Sequence, residues 1–165
     1  MLTLASRIRP LWPLLTLLAS AAMLAAAHLY FQRFLGLQPC PLCLDQRNWH
    51  WGVVALSAVS LIAVRIKPGL VRWAAALIGL VLLGSLGQAA YHVAVEHHWV
   101  TAQCDVRTAA GQSLTFDVNA PLQVPQCDQI AWQMFGISMA GYNALISLAL
   151  ALAAFAVALL PERKA

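Results

Sequence analysis

The chain has 165 residues, 61% of them hydrophobic and only 10% charged, with Lys+Arg 10 against Asp+Glu 6. An ordinary soluble domain carries about 25% charged residues, so this composition excludes one, and it equally excludes a disordered chain held open by charge. A helix crossing a hydrocarbon core of about 30 Å needs about 20 residues, so the length holds four such helices and no large extramembrane enzyme domain.

From the N-terminus, the first uncharged stretch covers residues 10–32 and is rich in Leu and Ala over 14–27, which predicts a span at 11–31. Arg7 and Arg9 ahead of it, with the run Ala25-Ala26-Ala27 behind, also fit a cleavable signal peptide. The apolar stretch continues through Leu29, Tyr30 and Phe31, which favours a retained helix. The second span, 48–64, has 17 uncharged residues between Arg47 and Arg65, close to the lower limit, but arginines at helix ends can reach the interface. The third, 73–92, contains Gly79, Gly84, Gly87 and Gln88, and small residues of this kind let membrane helices approach closely. The fourth, 140–160, ends in a nearly unbroken apolar run over 144–160. Trp12, Tyr30, Trp49, Trp51, Trp73 and Trp99 lie near predicted span ends, where amphipathic rings prefer the interface.

The fold class expected is therefore an all-α membrane protein, a four-transmembrane-helix bundle forming one domain over 1–165. Arg7, Arg9, Arg65, Lys67, Arg72, Arg163 and Lys164 fall on one side, and only Arg33, Arg47 and Arg107 on the other. The excess of basic residues puts both termini and the 66–70 turn in the cytoplasm, leaving loops 32–47 and 93–139 facing outward. The net charge of +4 is explained by these cytoplasmic edges, and no nucleic-acid partner is expected.

All four cysteines, Cys40, Cys43, Cys104 and Cys127, lie in the two outward loops. Placement in an oxidising compartment favours disulfide chemistry, and four cysteines allow three pairings. Cys40-Pro41-Leu42-Cys43 is too short to clamp a long loop, but a CxxC pair exchanges electrons readily because a resolving thiol is always at hand. Two structural disulfides on a membrane scaffold remain an alternative. Zinc is disfavoured, because Cys104 and Cys127 are separated by 22 residues and His28, His50, His97 and His98 show no ligand spacing, so no metal is expected. Arg47 follows Cys43 by four residues, about one helical turn, where a cation favours a thiolate or polarises an acceptor oxygen. Snorkelling, or pairing with Asp45, is the plainer role for the same side chain. The segment 111–125 mixes polar residues with Leu114, Phe116 and Leu122 and is expected to form a short surface element interrupted by Pro121 and Pro125.

The four spans, the Cys40-Pro-Leu-Cys43 loop, the downstream Arg47, the Cys104 and Cys127 loop and the approach Cys127-Asp-Gln-Ile-Ala-Trp to the last span together resemble the DsbB family of bacterial inner-membrane disulfide-generating proteins. The resemblance covers nearly the whole chain. It implies a quinone-dependent thiol oxidoreductase, multi-pass in the inner membrane with its redox loops in the periplasm, that reoxidises a periplasmic thioredoxin-fold partner, DsbA. It further implies that the partner attacks a Cys104–Cys127 disulfide with Cys104 as the linked position, that Cys127 passes the electrons to Cys40–Cys43, and that Cys43 faces ubiquinone, or menaquinone under other respiratory conditions. Arg47 and His92 match the quinone-associated positions. A four-span quinone reductase serving another thiol protein, similar in broad chemistry to the vitamin K epoxide reductase family, is the competing enzyme. A transporter is disfavoured because the spans hold no convincing charged pathway. No oligomeric state is specified, and a monomer satisfies the sequence.

Overall fold

The computed structural model describes residues 9–101 and 126–160. Lipid contributes no hydrogen bonds, so each span must satisfy its backbone internally, and the chain does this with four long helices. A 3-10 turn, Arg9–Leu11, leads into α1, Trp12–Ala25, with Pro13 in its first turn, and α1 runs on into a π-helical segment, Ala26–Phe34. Helix α2 covers Pro41–Ile66; a second 3-10 turn, Pro68–Leu70, feeds α3, Val71–Glu96; and α4 covers Met139–Leu159. All four are long and apolar enough to cross a membrane.

The start of α2 differs from a simple loop over 32–47. Cys40 is extended and caps the helix, its sulfur accepting from the Cys43 amide, and Pro41 occupies the first turn, where its missing N–H costs nothing. Cys43 and Arg47 are thereby helical residues one turn apart. At the other end of the site, Gln133–Met134 (β1) and Ile137–Ser138 (β2) form a minimal antiparallel hairpin that the sequence does not announce. Phe135 and Gly136, both at positive φ, turn it in the manner of a type I′ hairpin.

The bundle is apolar outside and mixed inside. Leu18, Val59, Ile62, Leu80 and Leu152 are exposed, while Val53, Ile78, Leu82 and Ala151 form the central packed cluster between α2, α3 and α4. Buried hydroxyls join neighbouring helices: Thr16 to Ser57 at 2.9 Å and Ser85 to Ser147 at 3.0 Å. Two of the predicted packing glycines meet large rings. A methyl group at Gly84 would lie 2.4 Å from the Trp49 ring, and one at Gly79 would lie 3.1 Å from Phe155, whereas Gly87 has open space. Close approach of α3 to its neighbours therefore depends on positions 79 and 84. The expected surface element over 111–125 lies outside the described residues.

Candidate functional site

The capped start of α2 brings two thiols together. Cys40 and Cys43 are free, and the Cys40 Sγ–H donates to Cys43 Sγ across 2.8 Å. The hydrogen bond to Cys43, burial, and the negative charge on Cys43 push the Cys40 thiol well above the ordinary thiol range. The pair is therefore asymmetric, with Cys40 the protonated member that donates to Cys43. Cys127, also buried, lies in the same apolar cluster as Cys40, Leu42 and Val95, and it is disulfide-bonded. Cys104 lies outside the described residues.

Arg47, one turn below Cys43, reaches α1. Its Nη1 donates to Gln32 Oε1 at 2.8 Å and meets His28 Nδ1 at 3.2 Å, and its Nη2 donates to the Ala27 carbonyl at 3.3 Å. All three partners belong to the π-helical segment, whose i→i+5 pattern widens the turn and sets residues 28 and 32 on nearly one face. The guanidinium is thus anchored to α1 and makes no ion pair with Asp45 among the described residues.

His92 comes from α3. Its Nε2 lies 3.7 Å from Cys40 Sγ and 3.9 Å from Glu96 Oε1, and its Nδ1 meets Gln46 Nε2 at 2.7 Å. The Cys127 backbone also hydrogen-bonds this ring. Gln46 Oε1 accepts from Asn143 Nδ2 at 2.7 Å, so Gln46 must donate to His92 Nδ1. The neutral ring then carries its proton on Nε2, where the Cys127 backbone and the Cys40 sulfur are its partners, and the Glu96 carboxylate, at 3.9 Å, lies beyond hydrogen-bond distance. The same buried chain continues from Asn143 Oδ1 to His50 Nε2 at 2.8 Å and from His50 Nδ1 to Ser20 at 3.3 Å, linking all four helices. Glu96 is itself buried, and Ser138, which caps α4, donates to its Oε2.

Cys40, Cys43, Gln46, Arg47, His92 and Glu96 line one cavity of about 280 Å³ whose remaining walls are largely apolar. Phe31 and Trp132 meet edge to face at 5.0 Å on one side, with Tyr142 tilted against Trp132 at 6.1 Å. An apolar slot with an arginine and a histidine converging near a thiol suits a flat, weakly polar ring bearing acceptor oxygens, so the donor set fits a quinone head group. Cys40, Cys43 and His92 have ligand atoms within 4.8 Å of one another, and the Sγ–H to Sγ hydrogen bond between the two cysteines makes them a dithiol pair beside the histidine.

Of the residues singled out in the sequence, the structure unites Cys40, Cys43, Arg47 and His92 on one cavity, with Cys127 beside Cys40. Sequence reasoning misses Gln32, Gln46, His50, Glu96 and Asn143. The available signal is a polar side chain inside an apolar stretch, which membrane burial makes costly unless it is used.

The family model for "Disulfide bond formation protein DsbB" matches residues 9–157. Among curated relatives, a disulfide bond formation protein B of Actinobacillus pleuropneumoniae is 32% identical over 142 residues, covering 79% of this chain and 74% of its own length. One from Xanthomonas axonopodis pv. citri is 33% identical over 154 residues, 84% of each chain. One from Aromatoleum aromaticum is 29% identical over 160 residues, covering 91% of this chain and 92% of the relative. No solved structure matches the chain. With a family match running from the first described helix almost to the end of the last, and relatives sharing about a third of their residues along most of both lengths, the chain belongs to the DsbB family of disulfide bond formation proteins.

Proposed function

We propose that this quinone-dependent, disulfide-generating oxidoreductase carries electrons from a soluble dithiol, through Cys104–Cys127 and then Cys40–Cys43, to a quinone held in the cavity beside Cys43. The observation that carries the proposal is the asymmetric Cys40/Cys43 pair set in a largely apolar cavity wall with Arg47 and His92. Both termini are cytoplasmic and the segments 32–47 and 93–139, which include the first turns of α2 and the end of α3, periplasmic, with spans near 11–31, 48–64, 73–92 and 140–160 of a single inner-membrane domain, 1–165. Ubiquinone is the acceptor, with menaquinone its substitute, and a DsbA-like thioredoxin-fold protein is the donor.

A thiolate of the reduced partner attacks Cys104, forming a mixed disulfide and releasing Cys127 as a thiolate. The partner's second thiolate resolves the mixed disulfide, so the partner leaves oxidised and Cys104 is reduced. Cys127 then attacks Cys40, displacing Cys43 with the electron pair of the broken bond, and Cys104 displaces Cys40 from Cys127. The net result restores Cys104–Cys127 and leaves Cys40 and Cys43 reduced. A bound quinone supplies a two-electron, two-proton acceptor for that dithiol. Arg47, fixed by Gln32, His28 and the Ala27 carbonyl, holds a positive charge against the Cys43 thiolate and the acceptor oxygens. His92 presents Nε2–H to Cys40 and so stabilises negative charge when that sulfur leaves.

The test is to incubate the purified protein with reduced DsbA whose resolving cysteine is changed to Ala, and to map the mixed disulfide by mass spectrometry. The proposal expects a bond to Cys104, lost in Cys104→Ser. A bond to Cys40 or Cys43 in the unmodified protein would contradict the order of transfer.

A further inference from the structure

Glu96 is a buried carboxyl that the electron path leaves unused. It lines the cavity shared with Cys40, Cys43, Arg47 and His92, its Oε1 lies 3.9 Å from His92 Nε2, and Ser138 fixes its Oε2. The titratable and charged groups around it are few. From its own helix comes His92 and from that helix's C-cap His97; from α2, Cys43, Arg47 and, farther along the same cavity, His50; and from the α2 cap, Cys40. The cap of α4 presents the Ser138 hydroxyl, and α4 itself places the Tyr142 phenol on the same cavity.

The charge balance of this cluster is what gives Glu96 a role. With Cys43 as a thiolate and Glu96 as a carboxylate, two anions would share a poorly solvated site with one permanent cation, Arg47. Like charges in such a site do not both ionise readily, and one proton is held between them. We propose that Glu96 is the proton acceptor of the reduced dithiol, taking up the Cys43 thiol proton when the thiolate forms and releasing it when the pair is oxidised. In the first step the Cys43 S–H bond breaks and an O–H bond forms on the Glu96 carboxylate, so the cluster keeps a single negative charge opposite Arg47. In the second, an S–S bond forms between Cys43 and Cys40. Two electrons leave the sulfurs, and two protons, one from the Cys40 thiol and one from Glu96, accompany them to the acceptor quinone. The His92 ring separates the two proton-bearing groups, its Nε2 lying 3.7 Å from Cys40 Sγ and 3.9 Å from Glu96 Oε1. The inference rests on the quinone-linked reading of the same cavity, but its first step requires only the reduced protein.

The sequence contains two glutamates, Glu96 and Glu162, so a Glu162→Gln background leaves Glu96 alone. The experiment is an infrared difference spectrum of quinone-free protein in that background, reduced with dithiothreitol and then oxidised with diamide near pH 7, with and without ¹³C-labelled glutamate. The proposal predicts a carboxylic-acid C=O band in the reduced state, shifted by the label and lost on oxidation. It also predicts that quinone-linked turnover falls about a hundredfold in Glu96→Gln and is partly kept in Glu96→Asp. The absence of a label-sensitive acid band on reduction, or a band unchanged on oxidation, would overturn it. So would a folded Glu96→Gln protein with full turnover. The spectrum is read without acceptor or partner, so its failure would leave the electron path itself standing.

Discussion

Asn143 joins Gln46 to His50 in the middle of the bundle, and breaking that junction gives a measurable coupling. Asn143→Leu keeps the branched heavy-atom skeleton but leaves Gln46 Oε1 and His50 Nε2 buried without partners. Gln46→Leu likewise strands Asn143 Nδ2 and His92 Nδ1. Losing a buried partner costs about 1–3 kcal/mol in water-soluble proteins, but interhelical pairs in membranes average about 0.6 kcal/mol with a maximum near 1.7. Taking the membrane range for two stranded groups, each single variant loses about 1–3 kcal/mol of stability. The double variant strands only His50 Nε2 and His92 Nδ1, because the Gln46 and Asn143 amides are removed together. It should therefore cost about as much as either single change, with a coupling of about 1–3 kcal/mol. The assay is equilibrium unfolding in mixed micelles, titrated with dodecyl sulfate and followed by tryptophan fluorescence. A double variant whose loss equals the sum of the two singles would show that these side chains do not form one chain and would remove the basis for the His92 tautomer.

Three further outcomes follow from the same geometry. Arg47→Ala should raise the KM for quinone about tenfold or more while leaving the rate of partner attack unchanged, and Arg47→Lys should recover little, because one ammonium cannot hold Gln32, His28 and the Ala27 carbonyl together; unchanged quinone kinetics in folded Arg47→Ala would reject the role. In reduced, quinone-free protein, iodoacetamide should label Cys43 well ahead of Cys40 from pH 6 to 9, since Cys40 is held protonated above the ordinary thiol range and gains thiolate only at higher pH; equal labelling by mass spectrometry would contradict the asymmetry. Gly84→Val should lower stability by about 1–3 kcal/mol, measured by the same unfolding titration, because its side chain enters the space of the Trp49 ring; a neutral effect would mean that this ring moves freely aside.

Some features are legible in the sequence because lipid imposes them directly. A span must be apolar along its length, so the four helices stand out from composition alone, and Gly79 and Gly84 mark close helix contacts because a larger residue there meets Phe155 or Trp49. The thiol pair and Arg47 are legible because they sit at the cap and within the first two turns of a helix whose start Pro41 announces. Longer-range features leave no local trace. Asn143 and His50 are 93 positions apart, and nothing in either neighbourhood predicts that they meet. Glu96 counts as a loop charge when read beside His97 and His98, but α3 continues one turn past His92 and draws the carboxyl into the cavity. The anchoring of Arg47 depends on a π-helical stretch of α1, and helix widening of that kind is set by packing across the bundle rather than by local propensity.

The central claim, that one electron pair passes from a soluble dithiol through Cys40–Cys43 to a membrane quinone, is tested most directly by coupled stopped-flow measurement. Purified protein is mixed with reduced DsbA and ubiquinone, and DsbA oxidation and quinone reduction are followed together. The electron path predicts one quinone reduced for each DsbA disulfide formed, with quinone reduction abolished in Cys43→Ser and the first thiol exchange at Cys104 preserved. DsbA oxidation without matching quinone reduction, or a folded Cys43→Ser protein that still reduces quinone at the full rate, would contradict it.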